Sequence, residues 1–393
     1  MSQRQQAVRS FKVGDVIGGE FEILQRPNAG GQGQVYLCYS ALSDCFYALK
    51  GVNPHRRSWE MAFFQREVET WIALGHQENI VRCFTVLTVD EQPFILSEWI
   101  GDDYWLARTY AQRHAKSPWF FDWYSRLGVE GARLRKAAIE HPVERYHADL
   151  QSLIESGVVR GSTEDGLRIA LELCGGLIQI NRVFPTVAHG DLKPTNVLLT
   201  MSGAAKLNDF GMVRAVGGGQ HLSHLHMAPE QWRGEPIDCR TDIYALGVIL
   251  YTLLEGTEPY NLPSKKDTGQ LHLYAPLPTI PFQLTGALAI NQIVQTCLAK
   301  APQDRFQTPE ELFAALAGAY LALTGRFRMP PMVNPPVTIE AHYHLGIAHT
   351  WLGEKTRAFA HFEAAIQIDS THPAPYVGRS VLYLGDKPNQ ARR

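Results

Sequence analysis

The sequence predicts an α+β protein with two lobes. Three observations carry this. The first hundred residues are strand-rich, the pattern from about Thr163 onward is mainly helical, and a proline-rich break near residue 330 sets off a last pair of amphipathic helices. At 393 residues the chain exceeds what one compact core usually holds, so more than one domain is expected. Apolar residues make up 45% and charged residues 19%, as in soluble globular proteins. A formal net charge of -2 supplies no global field for nucleic acid or an anionic membrane, so neither is expected as a partner.

In chain order, "FEILQR" and "QVYLCYS" flank a glycine-rich turn, and "CFYALKGV" comes next as a third β-like run. "WEMAFFQREVETWIALG" has helical spacing, and "IVRCFTVLTV" and "PFILSEW" return to strand character. In the helical half, the apolar run Tyr244 to Leu254 is too short to span a bilayer and reads as a buried helix. In "TPEELFAALAGAYLAL", Thr308 can cap, Pro309 suits the first helical position and Glu311 can complete a capping box. That helix should end near Gly325. Four prolines in "RFRMPPMVNPPVT" bar regular helix or inner strand, so 326–338 is read as a linker.

Residues 339–393 then read as two amphipathic helices joined at Gly353, with the start of another. The spacing of Leu345, Gly346, Ala348, Gly353, Ala358, Phe362 and Ala365 resembles a tetratricopeptide repeat, whose small residues let helices approach closely. Such repeats generally need about three units to stand alone, so this segment is expected to lean on the other domain, pair with another chain or belong to a longer array.

Six cysteines are scattered with no C-x-x-C pair, which is neither a zinc-ligand spacing nor a dense disulfide framework. The polar N-terminus has no apolar core for a signal peptide. A cytoplasmic protein with reduced thiols is the expectation.

Glycines between two strands let backbone N–H groups approach phosphates. "NAGGQGQVY" places Gly30, Gly31 and Gly33 in such a turn, which alone is weak evidence. The order of the later motifs strengthens it: Lys50 ending "YALK", Glu67 on the next helix, "HGDLKPTN" with Asp191, Lys193 and Asn196, "NDFG" with Asp209, and "APE" at 228–230. Over about residues 15–325 the sequence resembles the eukaryotic-like, Hanks-type Ser/Thr protein kinases, in their bacterial style.

The resemblance implies the two-lobed kinase fold, with an antiparallel sheet and one helix at about 15–100 and a helical lobe at about 163–325. It implies ATP and Mg²⁺ as cofactors and a protein hydroxyl as acceptor. Lys50 would hold the α- and β-phosphates, and Glu67 would hold Lys50. Asp209 and Asn196 would bind Mg²⁺, whose hardness suits carboxylate and amide oxygens. Asp191 would accept the substrate proton, and Lys193 would neutralise the transferring phosphate. Asn28 and the three glycines would cover the phosphates. Adenine would lie between Val35 and Ala48 on one side and Leu198 on the other, with backbone bonds from Glu98 and Ile100. Ser97 would be the gatekeeper, small enough to leave a back pocket open. His189, Ser223, Asp242, Glu230 and Arg305 match structural positions. Asp242 would tie down the catalytic loop, and Glu230 would pair with Arg305. A scaffold would keep such residues too.

The chain departs from the family in several places. Asn28 stands where the first loop glycine is usual, and asparagine tolerates positive φ better than most residues. Gly190 replaces the arginine that usually grips a phosphate on the activation loop. Between Gly211 and Ser223 that loop has no Ser, Thr or Tyr. Reader and mark are missing together, as in a kinase not controlled this way. His221, His224 and His226 crowd the same loop without a fourth metal ligand, so solvated histidines are preferred to a zinc site. An insertion at about 104–162 carries Trp119, Phe120, Phe121, Trp123 and Tyr124, read as a staple onto the helical lobe in preference to a partner surface. The tail is read as packing on the kinase, with a partner groove as the sharper option. The expected function is ATP-dependent phosphorylation of protein Ser/Thr residues. A pseudokinase scaffold and a small-molecule kinase are the alternatives.

Overall fold

A computed structural model describes residues 11–30, 33–40, 42–43, 45–51, 57–89, 92–101, 149–157, 159, 162–185, 187–200, 202–210, 225–260, 265–277, 287–329 and 339–383. The chain divides into two compact units. One comprises Met1–His76, Arg82–Trp99 and Asn334–Arg393, and the other comprises Gln77–Val81 and Ile100–Val333.

The first unit is built on an antiparallel sheet in the order β1-β2-β3-β4-β6-β5. Its strands are β1 (Val16–Ile17), β2 (Phe21–Gly30), β3 (Gly33–Ser40), β4 (Cys45–Gly51), β5 (Cys83–Val89) and β6 (Gln92–Glu98). Period-two alternation sorts the side chains. Phe11, Ile17, Phe21, Ile23, Tyr36, Cys38, Leu49, Phe94 and Leu96 form a core on one face. The residues between them, such as Ala48 and Lys50 on either side of Leu49, face the other way. Helix α1 (Arg57–Leu74) lies between β4 and β5 in sequence.

The same unit contains the C-terminal helices. In the numbering of all described helices these are α9 (Ile339–Trp351), α10 (Lys355–Ile368) and α11 (Pro373–Tyr383). Gly353 takes φ 77° at the turn between α9 and α10, a conformation that favours glycine. Phe362 is fully buried, and a Cβ at Gly346 or Gly378 would overlap its ring. Glycine at both places is what lets α9 and α11 close on α10. Helix α9 also packs on β5, the edge strand of the sheet, and thereby shields a strand that could pair with other chains. The tail therefore buries apolar residues within this unit, Ala348, Ala358, Phe362 and Ala365 among them.

The second unit is helical around one small hairpin. It comprises α2 (Leu150–Glu155), α3 (Thr163–Val183), β7 (Val197–Leu199), β8 (Ala205–Leu207), α4 (Pro229–Arg233), α5 (Cys239–Glu255), α6 (Lys265–Tyr274), α7 (Ala287–Cys297) and α8 (Pro309–Thr324). Ser162 caps α3, Asp238 caps α5 and Thr308 caps α8 through side-chain oxygens. Gly325 ends α8 at φ 71°. The Glu311 N–H donates to the Thr308 hydroxyl at 3.2 Å, but the Glu311 carboxylate does not reach back to the Thr308 N–H. Its carboxylate accepts from the N–H of Gln307 at 2.7 Å instead. The long apolar helix α5 is buried along almost its whole length, as expected. No helix among the described residues is long and apolar enough to cross a membrane.

Residues 102–148, with the aromatic cluster of the insertion, lie outside the described residues, as does most of the linker. The described end of the insertion is part of the core. Leu150 and Leu153 on α2 are buried, and Asp149 bridges Leu198 of β7.

Glu230 and Arg305 tie this unit together. Two parallel bonds of 2.8 Å join them, and Thr241 donates to Glu230 at 2.7 Å. Burial alone would raise the Glu230 pKa, but Arg305 and Thr241 outweigh it and hold the carboxyl below its ordinary range. Arg305→Ala would strand a buried carboxylate and should cost about 3–5 kcal/mol. A group whose folded pKa is lowered stabilises above its unfolded pKa, and that contribution fades as pH falls through the folded value. Thermal unfolding of both proteins from pH 7 down to 3 should show the gap between them narrowing below the ordinary carboxyl value of 4.5. A gap independent of pH would contradict this assignment.

Candidate active site

In the first unit, the β4 alternation that buries Leu49 presents Ala48 and Lys50 on the opposite face. Val35 pairs with Lys50, and Ser97 pairs with Ala48 and with Cys83, so these residues share that face. Helix α1 brings Glu67, which is 3% exposed, against Lys50. Lys50 Nζ donates to both Glu67 oxygens, at 2.6 and 2.8 Å. Ser97 is buried, and its neighbour Cys83 has its thiol pKa pushed up by burial and then by the Glu67 charge. Cys83 is therefore a neutral thiol beside Ser97 on the neighbouring strand.

The glycine turn joins β2 to β3, which close at the pair Gly30–Gly33. Gly31 lies outside the described residues. Asn28 stands in extended strand β2 opposite Val35, so the positive φ that asparagine tolerates is not called upon. The N–H of Glu98 donates to the Arg82 carbonyl at 2.9 Å. Ile100 is half-buried and belongs to the second unit.

In the second unit, the loop from His189 to Asn196 gathers the remaining candidates. Asp191 is 5% exposed. Lys193 Nζ donates to its Oδ2 at 2.6 Å, and Asn196 Nδ2 donates to its carbonyl at 2.9 Å and to Oδ2 at 3.2 Å. With Nδ2 so engaged, the Asn196 amide presents its oxygen as the acceptor. Asn208 N–H donates to the Asn196 carbonyl at 2.9 Å, which sets the next residue, Asp209, close to Asn196. Asp209 takes φ 67°, alone among the described non-glycine residues with positive φ. Strain of that kind tends to collect at functional sites. Leu198 lies just beyond on β7, half-buried.

The loop hangs from Asp242 on α5. The carboxylate accepts from His189 N–H at 2.7 Å and from Gly190 N–H at 2.9 Å. Burial raises the Asp242 pKa to about 6, although His189 and these two N–H groups pull it down. Gly190 has φ 79°. Gln231 donates to its carbonyl at 2.9 Å while accepting from Ala228 N–H at 2.9 Å. Gln231 is not among the residues that the sequence singles out. Its available signal is a glutamine three residues after Ala228, where a helix-start side chain reaches back. His189 also bonds the Asn208 carbonyl at 3.2 Å and lies against Phe210, ring centroids 5.3 Å apart.

His226 is buried and lines a small pocket with Asp191, Met227 and Gln231. His221, His224 and Ser223 lie outside the described residues. Among the described residues no group of His, Cys, Asp or Glu is arranged to hold a metal by itself.

Residues 144–315 match the family model described as the protein kinase domain. The chain is 34% identical over 173 residues to the probable serine/threonine-protein kinase PknB of Corynebacterium glutamicum, covering 39% of this chain and 27% of that relative. It is 24% identical over 314 residues to a probable serine/threonine-protein kinase of Clostridium perfringens, covering 77% of this chain and 39% of the relative. The serine/threonine-protein kinase PknB of Mycobacterium tuberculosis is 31% identical over 140 residues, covering 33% of this chain and 22% of the relative. The chain thus spans well under half the length of these relatives. The matches support a kinase domain of the bacterial Ser/Thr type.

The Gly190 conformation yields a test. A side chain in the left-handed region costs about 1–2 kcal/mol. Gly190→Arg, the family's usual residue, should lower the thermal midpoint correspondingly. Equal midpoints for the two proteins would show that Gly190 relieves no backbone strain.

Proposed function

We propose that this chain is an ATP-dependent protein Ser/Thr kinase, with Asp191 as the group that receives the substrate proton. The observation that carries this reading is the state of the His189–Asn196 loop. Asp191 is buried, fixed by Asn196 and Lys193, and held from behind through His189, Gly190 and Asp242. Lys50 binds the α- and β-phosphates, and its two bonds to Glu67 fix its direction before nucleotide arrives. Lys193 lies against Asp191, where it neutralises charge on the phosphoryl group in transfer. Gly30, Gly31 and Gly33 cover the phosphates, and Val35, Ala48, Leu198 and the backbone at Glu98 and Ile100 receive adenine.

The donor set fits Mg²⁺, since the Asn196 amide oxygen and the Asp209 carboxylate are hard oxygen ligands on adjoining backbone. When bound, the ion supplies charge neutralisation across the phosphates. The chain's own residues orient the acceptor hydroxyl, take its proton at Asp191 and hold the phosphoryl group in line.

Control does not require a phosphorylated activation loop in this reading. Three contacts support it: Asp242 holds both N–H groups around Gly190, and Gln231 holds its carbonyl. The loop is thus ordered from within, without an arginine to be locked by a phosphate. We read α9–α11 as tetratricopeptide-like, supported by the Phe362 ring closing against Gly346 and Gly378, and place the kinase domain at 15–325.

Transfer from labelled ATP with Mg²⁺ to the chain itself and to a generic protein should fall ~10²–10⁴-fold in Asp191→Ala. Unchanged transfer in that variant would sink the assignment of the base. Transfer absent from both proteins would favour the scaffold. A second test concerns Ser97. An adenine analogue with a bulky substituent should bind the native chain more tightly than Ser97→Phe, since serine presents a much smaller side chain than phenylalanine. Equal affinities would mean that Ser97 gates nothing.

A further inference from the structure

Helix α1 is held from two sides within its own unit. Phe64, Glu67, Val68 and Trp71 fall at i, i+3, i+4 and i+7, and all four are buried. Glu67 meets Lys50. Phe64, nearly one turn earlier, meets the tail. Its ring lies edge-on to Trp351, with centroids 5.6 Å apart and planes at 74°. Trp351 is the last residue of α9, and α9 rests on edge strand β5. That strand joins the Lys50 strand through β6, because Ser97 pairs with both Cys83 and Ala48.

These contacts make a closed frame. The sheet carries Lys50 and supports α9, and α9 presents Trp351 to α1. Residues three apart on a helix are neighbours on its surface, so any roll of α1 that frees Glu67 from Lys50 also drags Phe64 across Trp351. Close-packed interiors resist such sliding.

We propose that Trp351 is a positioning residue: by seating Phe64 it fixes the roll of α1 and keeps Glu67 on Lys50, so that this chain's own C-terminal helices set how well it handles ATP. This rests on the kinase reading of Lys50. Trp351 touches no reacting atom; its effect passes through Phe64 and Glu67. The cost of losing it should appear in nucleotide affinity and in the order of α1.

The test uses the full chain with Trp351→Ala and Trp351→Phe, and with Val377→Ser as a tail control, since Val377 is exposed on α11. KM for ATP should rise about tenfold in Trp351→Ala, since a small misplacement of positioned groups costs up to ~10²-fold in rate. Trp351→Phe should recover most of that loss and Val377→Ser should change nothing. Amide hydrogen exchange should show α1 losing protection around Glu67 in Trp351→Ala while α5 keeps its own. Native KM and native α1 protection in Trp351→Ala would overturn the proposal, as would an equal effect from Val377→Ser. If the native chain transfers no phosphate, the kinase reading fails, and exchange in α1 still decides the role of Trp351. If Trp351→Ala unfolds the tail, the decision passes to Trp351→Leu: a raised KM and lost α1 protection with the tail folded support the seat, and native values of both with the tail folded overturn it.

Discussion

One buried carboxylate organises the loop from His189 to Asn196. Asp242 takes the N–H groups of two consecutive residues, His189 and Gly190. Turning two adjacent N–H groups toward one acceptor bends the backbone sharply. Gly190 takes up that bend at φ 79°, where a side chain would be strained. The residue after the bend is Asp191, so its placement derives from the bond pattern before it. Helix α5, which carries Asp242, is itself fixed from its first turn, where Thr241 bonds Glu230 and Arg305 bonds the Arg240 carbonyl. Asp242 is thus a charged group buried at a cost, visible in its raised pKa, and retained for what it orders.

The first unit uses a different device. Its charged pair, Lys50 with Glu67, is held by the packing of α1, not by a loop. The tail belongs to that packing, because α9 lies on β5 and reaches α1 through Trp351 and Phe64. A segment that looks in sequence like an appended repeat is part of the wall behind the Lys50 pair. The sheet edge thereby supplies burial to three short helices that could not bury their apolar faces on one another alone.

Much of this was legible in the sequence because chemistry at fixed spacing leaves few alternatives. Lys50 meets Glu67 as the family resemblance implies, whereas the bonds of Lys193 and Asn196 to Asp191 were not legible from the motif, which predicts only that the three stand close in one loop. The strand and helix runs were legible from period and caps, as at Thr308 and Gly325. Other features were not. Gly190 reads in sequence as a missing arginine, and its backbone angle is visible only in three dimensions. Gln231 carries no chemical signature apart from its place at a helix start. The docking of α9 on β5 and α1 joins residues far apart in the chain, and no local pattern specifies which face a helical hairpin will cover. The β1 strand is only two residues long, below what periodicity can register.

The central claim is that Asp242 orders the loop that positions Asp191. Asp242→Asn tests it most directly, since the amide keeps the shape but retains only one oxygen acceptor for two N–H groups. Phosphate transfer should be measured beside thermal unfolding of the same preparation. The account predicts a protein that still unfolds cooperatively but transfers phosphate at least ~10-fold more slowly, because a positioned base has been loosened. A folded Asp242→Asn protein with native transfer would contradict it.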